Sequence, residues 1–219
     1  MPTSRTSPHG DIIASAAKVH LSPIGLVRKG KSRLWLKDHR WWVAVVEFQP
    51  SAWSKGTYLN VAASWLWQDK DHFSFDEFKR VGGFAEFTDP ESFAGAADTY
   101  ASRAADEVQS LQLRFPTLQA VANHLSATAD GNPWLHYHAM MASLADGQLQ
   151  AAQTQLQALL RFDHDVPWCH ELKAKAAAMA AAATDRPTGR AIVSREVALA
   201  RAKLRLPMID ESALWQEAQ

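Results

Sequence analysis

The sequence predicts an α+β protein: an antiparallel sheet of three to five strands packed by a long helix, followed by an all-helical C-terminal region. Three observations carry this. Six of the nine tryptophans (Trp35, Trp41, Trp42, Trp53, Trp65, Trp67) fall between Ser32 and Trp67, in runs dense in Val, Leu and aromatic residues, the composition of paired strands. Beyond Pro90, Phe93, Ala96, Ala97, Tyr100, Ala104, Val108 and Leu111 recur at three- and four-residue spacing, the pattern of a helix with one apolar stripe. After Asn132-Pro133 the chain carries helix formers almost throughout.

In chain order, residues 1–9 read as a loose leader, and Asp11 caps a short helix that Pro23 ends. Gly25 and Gly30 bracket an approach to the sheet. The first strand is placed at 32–36, with Lys37-Asp38-His39-Arg40 as a hairpin turn. The second, 41–48, is apolar on both faces except at Glu47, which marks a central strand. Pro50 and Gly56 punctuate a loop carrying Trp53. The third strand, 57–67, has an apolar side and a smaller, more polar one of Tyr58, Asn60, Ala62, Ser64 and Leu66, which predicts a concavity. A fourth strand is expected at 84–87, and Asp89 caps the long helix, which Pro116 breaks. A shorter helix runs to Leu125. Residues 135–144 and 149–160 form a helical hairpin around Asp146-Gly147, and its Gly147, Ala151, Ala152, Leu156 and Leu159 resemble one tetratricopeptide unit. Pro167-Trp168 opens a helix through 183, Pro187-Thr188-Gly189 interrupts, and 191–206 form the last long helix. The resulting organisation is a leader (1–9), an α+β domain (10–130), a helical extension (131–206) and a tail (207–219).

The segment from the first helix through Gly25, Gly30, Phe48-Gln49-Pro50-Ser51-Ala52-Trp53 and Tyr58-Leu59-Asn60-Val61 resembles an uncharacterised bacterial family catalogued as a domain of unknown function, the 4304 type, over residues 11–125. Leu26 stands where that family has an aromatic, and Val61-Ala62-Ala63 where it has a Leu-Gly pattern. The resemblance implies no activity; it marks Gln49, Ser51, Trp53 and Asn60 as motif positions.

Lys+Arg and Asp+Glu both number 23, which removes the positive excess typical of nucleic-acid binders. A chain of 219 residues can bury a core without a metal or disulfides, and Cys169, the single cysteine, fits a reducing compartment. No signal peptide and no membrane-spanning stretch are expected, and the cytoplasm is the default location.

Five constellations bear on chemistry. His136, His138, His164, Asp165, Cys169 and His170 are metal-ligand types, but His136 and His138 are two apart on a helix, whereas ligand pairs need three or four; no metal and no cofactor are expected. Asp38 and Glu47, with His39 or Tyr58 beside them, would serve a metal-dependent hydrolase or nuclease, although Gln49 stands where a charge-stabilising Lys belongs. Cys169-His170 invites a thiolate, yet helix neighbours point apart. Residues 184–206 hold six basic residues against Asp185 and Glu196, with Arg190, Arg195, Arg201 and Arg205 as a basic surface. The last is Gln49, Ser51, Trp53, Tyr58, Asn60 and Ser64, which combine rigid aromatic area with amide hydrogen bonding. The expectation is a non-enzymatic, protein-binding module of a bacterial cytoplasmic protein, immunity- or antitoxin-like by analogy. The alternatives are the Glu47 hydrolase and a structural protein dimerising through its C-terminal helices. Neither a membrane nor nucleic acid is expected as a partner.

Overall fold

The computed structural model describes residues 8–129 and 131–216. It is α+β as predicted, and the chain divides into two compact units, one running up to Ser64 and including Phe73–Leu113, the other made of Trp65–His72 and the chain from Arg114 onward. A short segment of the Trp-rich region thus belongs to the helical unit.

The first unit begins with helix α1 (Pro8–Leu21), so Pro8 and His9 lie within a helix and only 1–7 of the expected leader fall outside the described residues. One 3-10 turn, Ser22–Ile24, closes on Gly25. Strands β1 (Val27–Arg28), β2 (Leu34–Asp38), β3 (Trp42–Gln49), β4 (Gly56–Trp65) and β5 (Glu77–Arg80) lie side by side in that order, and β6 (Ala85–Glu86) pairs with the start of β4. β1 and β5 were not expected: two and four residues long, they are too short for an alternation to stand out. The β2 to β3 register, Leu36↔Val45, follows from a tight turn in which Asp38 Oδ1 accepts the Arg40 N–H at 2.8 Å and Arg40 takes φ 73°. β3 is the central strand its composition predicts, with Trp42, Val43, Ala44, Val45, Val46 and Phe48 all buried. Each of the valine and phenylalanine side chains among them contributes roughly 1.5–3 kcal/mol on burial.

Gly56 permits the pairing of β4 with β6, since a Cβ there would sit 2.1 Å from the Ala85 carbonyl oxygen and its φ is 147°. Helix α2 (Pro90–Arg114) starts where Asp89 Oδ1 accepts the N–H groups of Glu91 and Ser92, both at 3.0 Å. Its stripe of Phe93, Ala97, Ala101, Ala104, Val108 and Leu111 is buried. Polar ties secure it: His20 to Asp98 at 2.7 Å, Tyr100 Oη to the Gly83 carbonyl at 2.8 Å, and a Lys79–Glu107 ion pair.

The helical unit contains α3 (Leu118–Thr128), α4 (Pro133–Asp146), α5 (Leu149–Arg161), α6 (Pro167–Ala182), α7 (Arg186–Leu204) and α8 (Glu211–Leu214). α4 is its axis, buried at every residue from Tyr137 to Ala145. Gly147 N–H to Leu144 C=O and Gln148 N–H to Ser143 C=O close the α4–α5 hairpin, satisfying carbonyls at the helix end. Pro187-Thr188-Gly189 does not interrupt a helix; it starts α7. Asp185 and Thr188 form a reciprocal capping box with Pro187 in the first turn, and Pro there loses no hydrogen bond. Gly189 lets α7 cross α4 closely, as a Cβ would lie 2.3 Å from the Leu144 carbonyl oxygen. The expected tail is docked over its described part: Leu214 is buried, Trp215 Nε1 donates to Ser194 Oγ at 3.1 Å, and Arg190 lies 5.5 Å over the Trp215 ring. No helix among the described residues is long and apolar enough to cross a membrane.

Candidate functional site

Two-residue periodicity places Glu47 and Gln49 on one face of β3, and Tyr58 and Asn60 on one face of β4. The β4 to β5 register, Asn60↔Arg80, brings the guanidinium to the same place. Asn60, only 4% exposed, is the hub. Its Nδ2 donates to Glu47 Oε2 at 2.9 Å and to Gln49 Oε1 at 3.0 Å, while its Oδ1 accepts from Arg80 Nε at 3.2 Å. Arg80 Nη2 donates to the same Gln49 oxygen at 2.9 Å, and its guanidinium lies 4.6 Å over the Tyr58 ring, which rests against Phe84 at 4.9 Å. A buried amide that uses both donors and its acceptor stabilises the cluster as a unit. Arg80 itself is exposed, and Glu47, Gln49 and Tyr58 are half-buried, so the network opens onto the surface.

The loop between β3 and β4 emerges beside this cluster. Ser51 Oγ accepts the Trp53 N–H at 3.1 Å, which braces the loop, and the Trp53 residue is 95% exposed. Gln49, Ser51, Trp53, Tyr58 and Asn60 therefore gather at one end of the sheet. Ser64 does not. It lies at the far end of β4, fully buried, with its Oγ 3.2 Å from Ser74 Oγ. Of the small, polar face on which a concavity was expected, Ala62 and Ser64 are completely covered. Sequence reasoning missed Arg80 and the bond between Glu47 and Asn60; the signal was the charged Lys79-Arg80 pair after Phe78, legible only once β5 is paired.

No family model, no curated protein and no solved structure matches this chain. The site therefore rests on its geometry.

The other constellations come apart. Asp38 pairs with Val43 and Glu47 with Leu34, which sets the two carboxylates four residues apart along the ladder, about 13 Å, too far to share one ion. Among the described residues no group of three or more His, Cys, Asp or Glu can hold a metal. His136 engages Gln155 at 2.9 Å, His138 accepts the Trp67 indole N–H at 3.1 Å, and His170 meets Asp165 at 2.8 Å. Cys169 is fully buried, away from the exposed His170. Of the expected basic surface, Arg195 and Arg205 are exposed and Arg190 is half-buried. Arg201 is not part of it: 1% exposed, it donates Nε and Nη2 to the Pro207 carbonyl at 2.8 and 2.6 Å, anchoring the segment after α7.

His39 adds an electrostatic feature at the opposite end of β3. It stacks on Trp42 at 4.1 Å and lies 3.3 Å from Gln112 Nε2. Burial first, and then the Lys37 and Arg40 charges, pull its pKa down to about 4, with Asp38 opposing.

Proposed function

We propose that this chain is a non-catalytic, protein-binding module whose contact surface is the sheet end formed by Trp53, Gln49, Arg80, Glu47 and Tyr58. The observation that carries the reading is Trp53, whose large apolar ring stands 95% exposed on a braced loop. Exposing it costs hydrophobic free energy that burial against a partner would recover, and Trp and Arg are the residue types that dominate binding energy at interfaces. Around it, the Asn60 network presents a carboxylate, an amide and a guanidinium already held in place, so little side-chain entropy is lost on contact.

The test is affinity capture with the wild-type chain and with Trp53→Ala and Arg80→Ala variants, each checked for folding by circular dichroism. A stoichiometric protein retained by the wild type and lost from both folded variants is the expected result. Equal capture by all three would remove the sheet end from the interface.

A further inference from the structure

We propose that the groove between α1 and the edge strand β1 binds an acidic peptide in extended conformation, which adds to β1 as a further strand. The groove has a volume of about 610 Å³ and lies at the opposite edge of the sheet from β5. Its origin is local. Asp11, Ala14, Ser15 and Lys18 share one face of α1, and the small pair in the middle leaves space opposite β1. Leu26 and Trp35, both buried, give it an apolar floor, and Val27 is 71% exposed at its rim.

The backbone at this edge is ready for pairing. Val27 pairs with Leu36, Arg28 with Trp35, and the Lys29 N–H donates to the Leu34 carbonyl at 2.9 Å. Hydrogen-bonded pairs alternate along an antiparallel ladder, so Val27 and Lys29 face β2 while the Arg28 N–H and C=O point outward. An incoming strand satisfies such groups and gains specificity from side-chain pockets.

Charge selects the peptide. Between Lys18 and Arg40 there are seven basic residues and one acid, Asp38, a formal excess of six on a chain with no net charge. Lys18 and Arg28 line the groove itself against one acid, Asp11. Arg28 is held in place by donating Nε to the Ser32 carbonyl at 2.7 Å and Nη2 to that of Lys31 at 3.1 Å. The like charge is felt nearby, where burial and then the Arg28 charge lower the pKa of Arg33. Single-stranded nucleic acid fits less well, since the one aromatic lining the groove, Trp35, is 5% exposed and offers no face for stacking.

The experiment is fluorescence anisotropy with the full chain and three labelled probes: a peptide of about eight alternating Glu and Val residues, its Lys–Val counterpart, and single-stranded oligothymidylate of similar length. The Glu–Val peptide should bind saturably and the Lys–Val peptide should not. Lys18→Glu, which reverses charge, and Ser15→Trp, which fills the groove without changing charge, should each weaken binding roughly tenfold or more in variants with unchanged circular dichroism. Bound peptide should also protect the Arg28 amide from hydrogen exchange. Absence of saturable binding, oligothymidylate binding as tight as the peptide, full affinity in the folded Ser15→Trp variant, or an unprotected Arg28 amide would each overturn the proposal.

Discussion

Trp53 and Trp67 come from the same tryptophan-rich stretch and meet opposite fates. Trp53 is 95% exposed on a loop of the sheet unit, whereas Trp67 is fully buried in the helical unit. The Trp67 ring stacks on Trp65 at 5.4 Å, its N–H is donated to His138 Nδ1, and its carbonyl accepts the Tyr137 hydroxyl at 3.0 Å. The polar groups around Asn60 and around Trp67 follow the same division. Those around Asn60 open onto water, while those near Trp67 are enclosed: burial, then the charges of Glu196 and Asp69, raise the Tyr137 pKa, and Glu196 is buried against Lys175 at 2.5 Å. An indole is thus buried or exposed according to what its segment lies against.

Four substitutions break or sharpen this contrast. Trp67→Ala should cost about 3–5 kcal/mol in denaturant unfolding, because it opens a large cavity and removes the indole N–H that His138 Nδ1 accepts. A cost no larger than that of Trp53→Ala would end the distinction. The next effect belongs to His39. Its folded pKa of about 4 lies below its ordinary value of 6.5, so the unfolded chain binds the proton more readily. Stability is then fully present above about pH 6.5 and is lost as pH falls toward 4, by about 2–3 kcal/mol. His39→Gln should flatten that slope in denaturation midpoints measured across the window.

Asn60→Ala should cost about 1–3 kcal/mol, since it leaves Glu47, Gln49 and Arg80 without their common partner. It should also mobilise Arg80, visible as loss of a single set of guanidinium resonances in nuclear magnetic resonance spectra. Smallest of all is Trp53→Ala, expected within about 0.5 kcal/mol of wild type in stability, the value for an exposed position, while partner capture is lost.

Most of the fold was legible because its elements are long or strongly punctuated. β3 is apolar on both faces, α2 carries an uninterrupted stripe capped by Asp89, and the α4–α5 hairpin turns at Asp146-Gly147. Errors arose where a local signal has two meanings. Pro187-Thr188-Gly189 looks like a break, yet the same Pro and Thr form the first turn of a capped helix. Of the site, Gln49, Trp53, Tyr58 and Asn60 were recognisable as residue types suited to contact. Arg80 was not, because a four-residue edge strand leaves no periodic trace.

By itself the sequence determined the α+β class, the central strand, the long helix and the helical C-terminal half, all consequences of periodicity and of Pro, Gly and Asp positions acting over a few residues. Only the tertiary structure decided that Asn60 joins Glu47, Gln49 and Arg80, that Asp38 and Glu47 stay apart, that Arg201 is an anchor, and that Trp53 faces water while Trp67 does not. Those outcomes depend on strand register and on packing between segments far apart in the chain, and a local pattern carries no information about which distant segment will cover it.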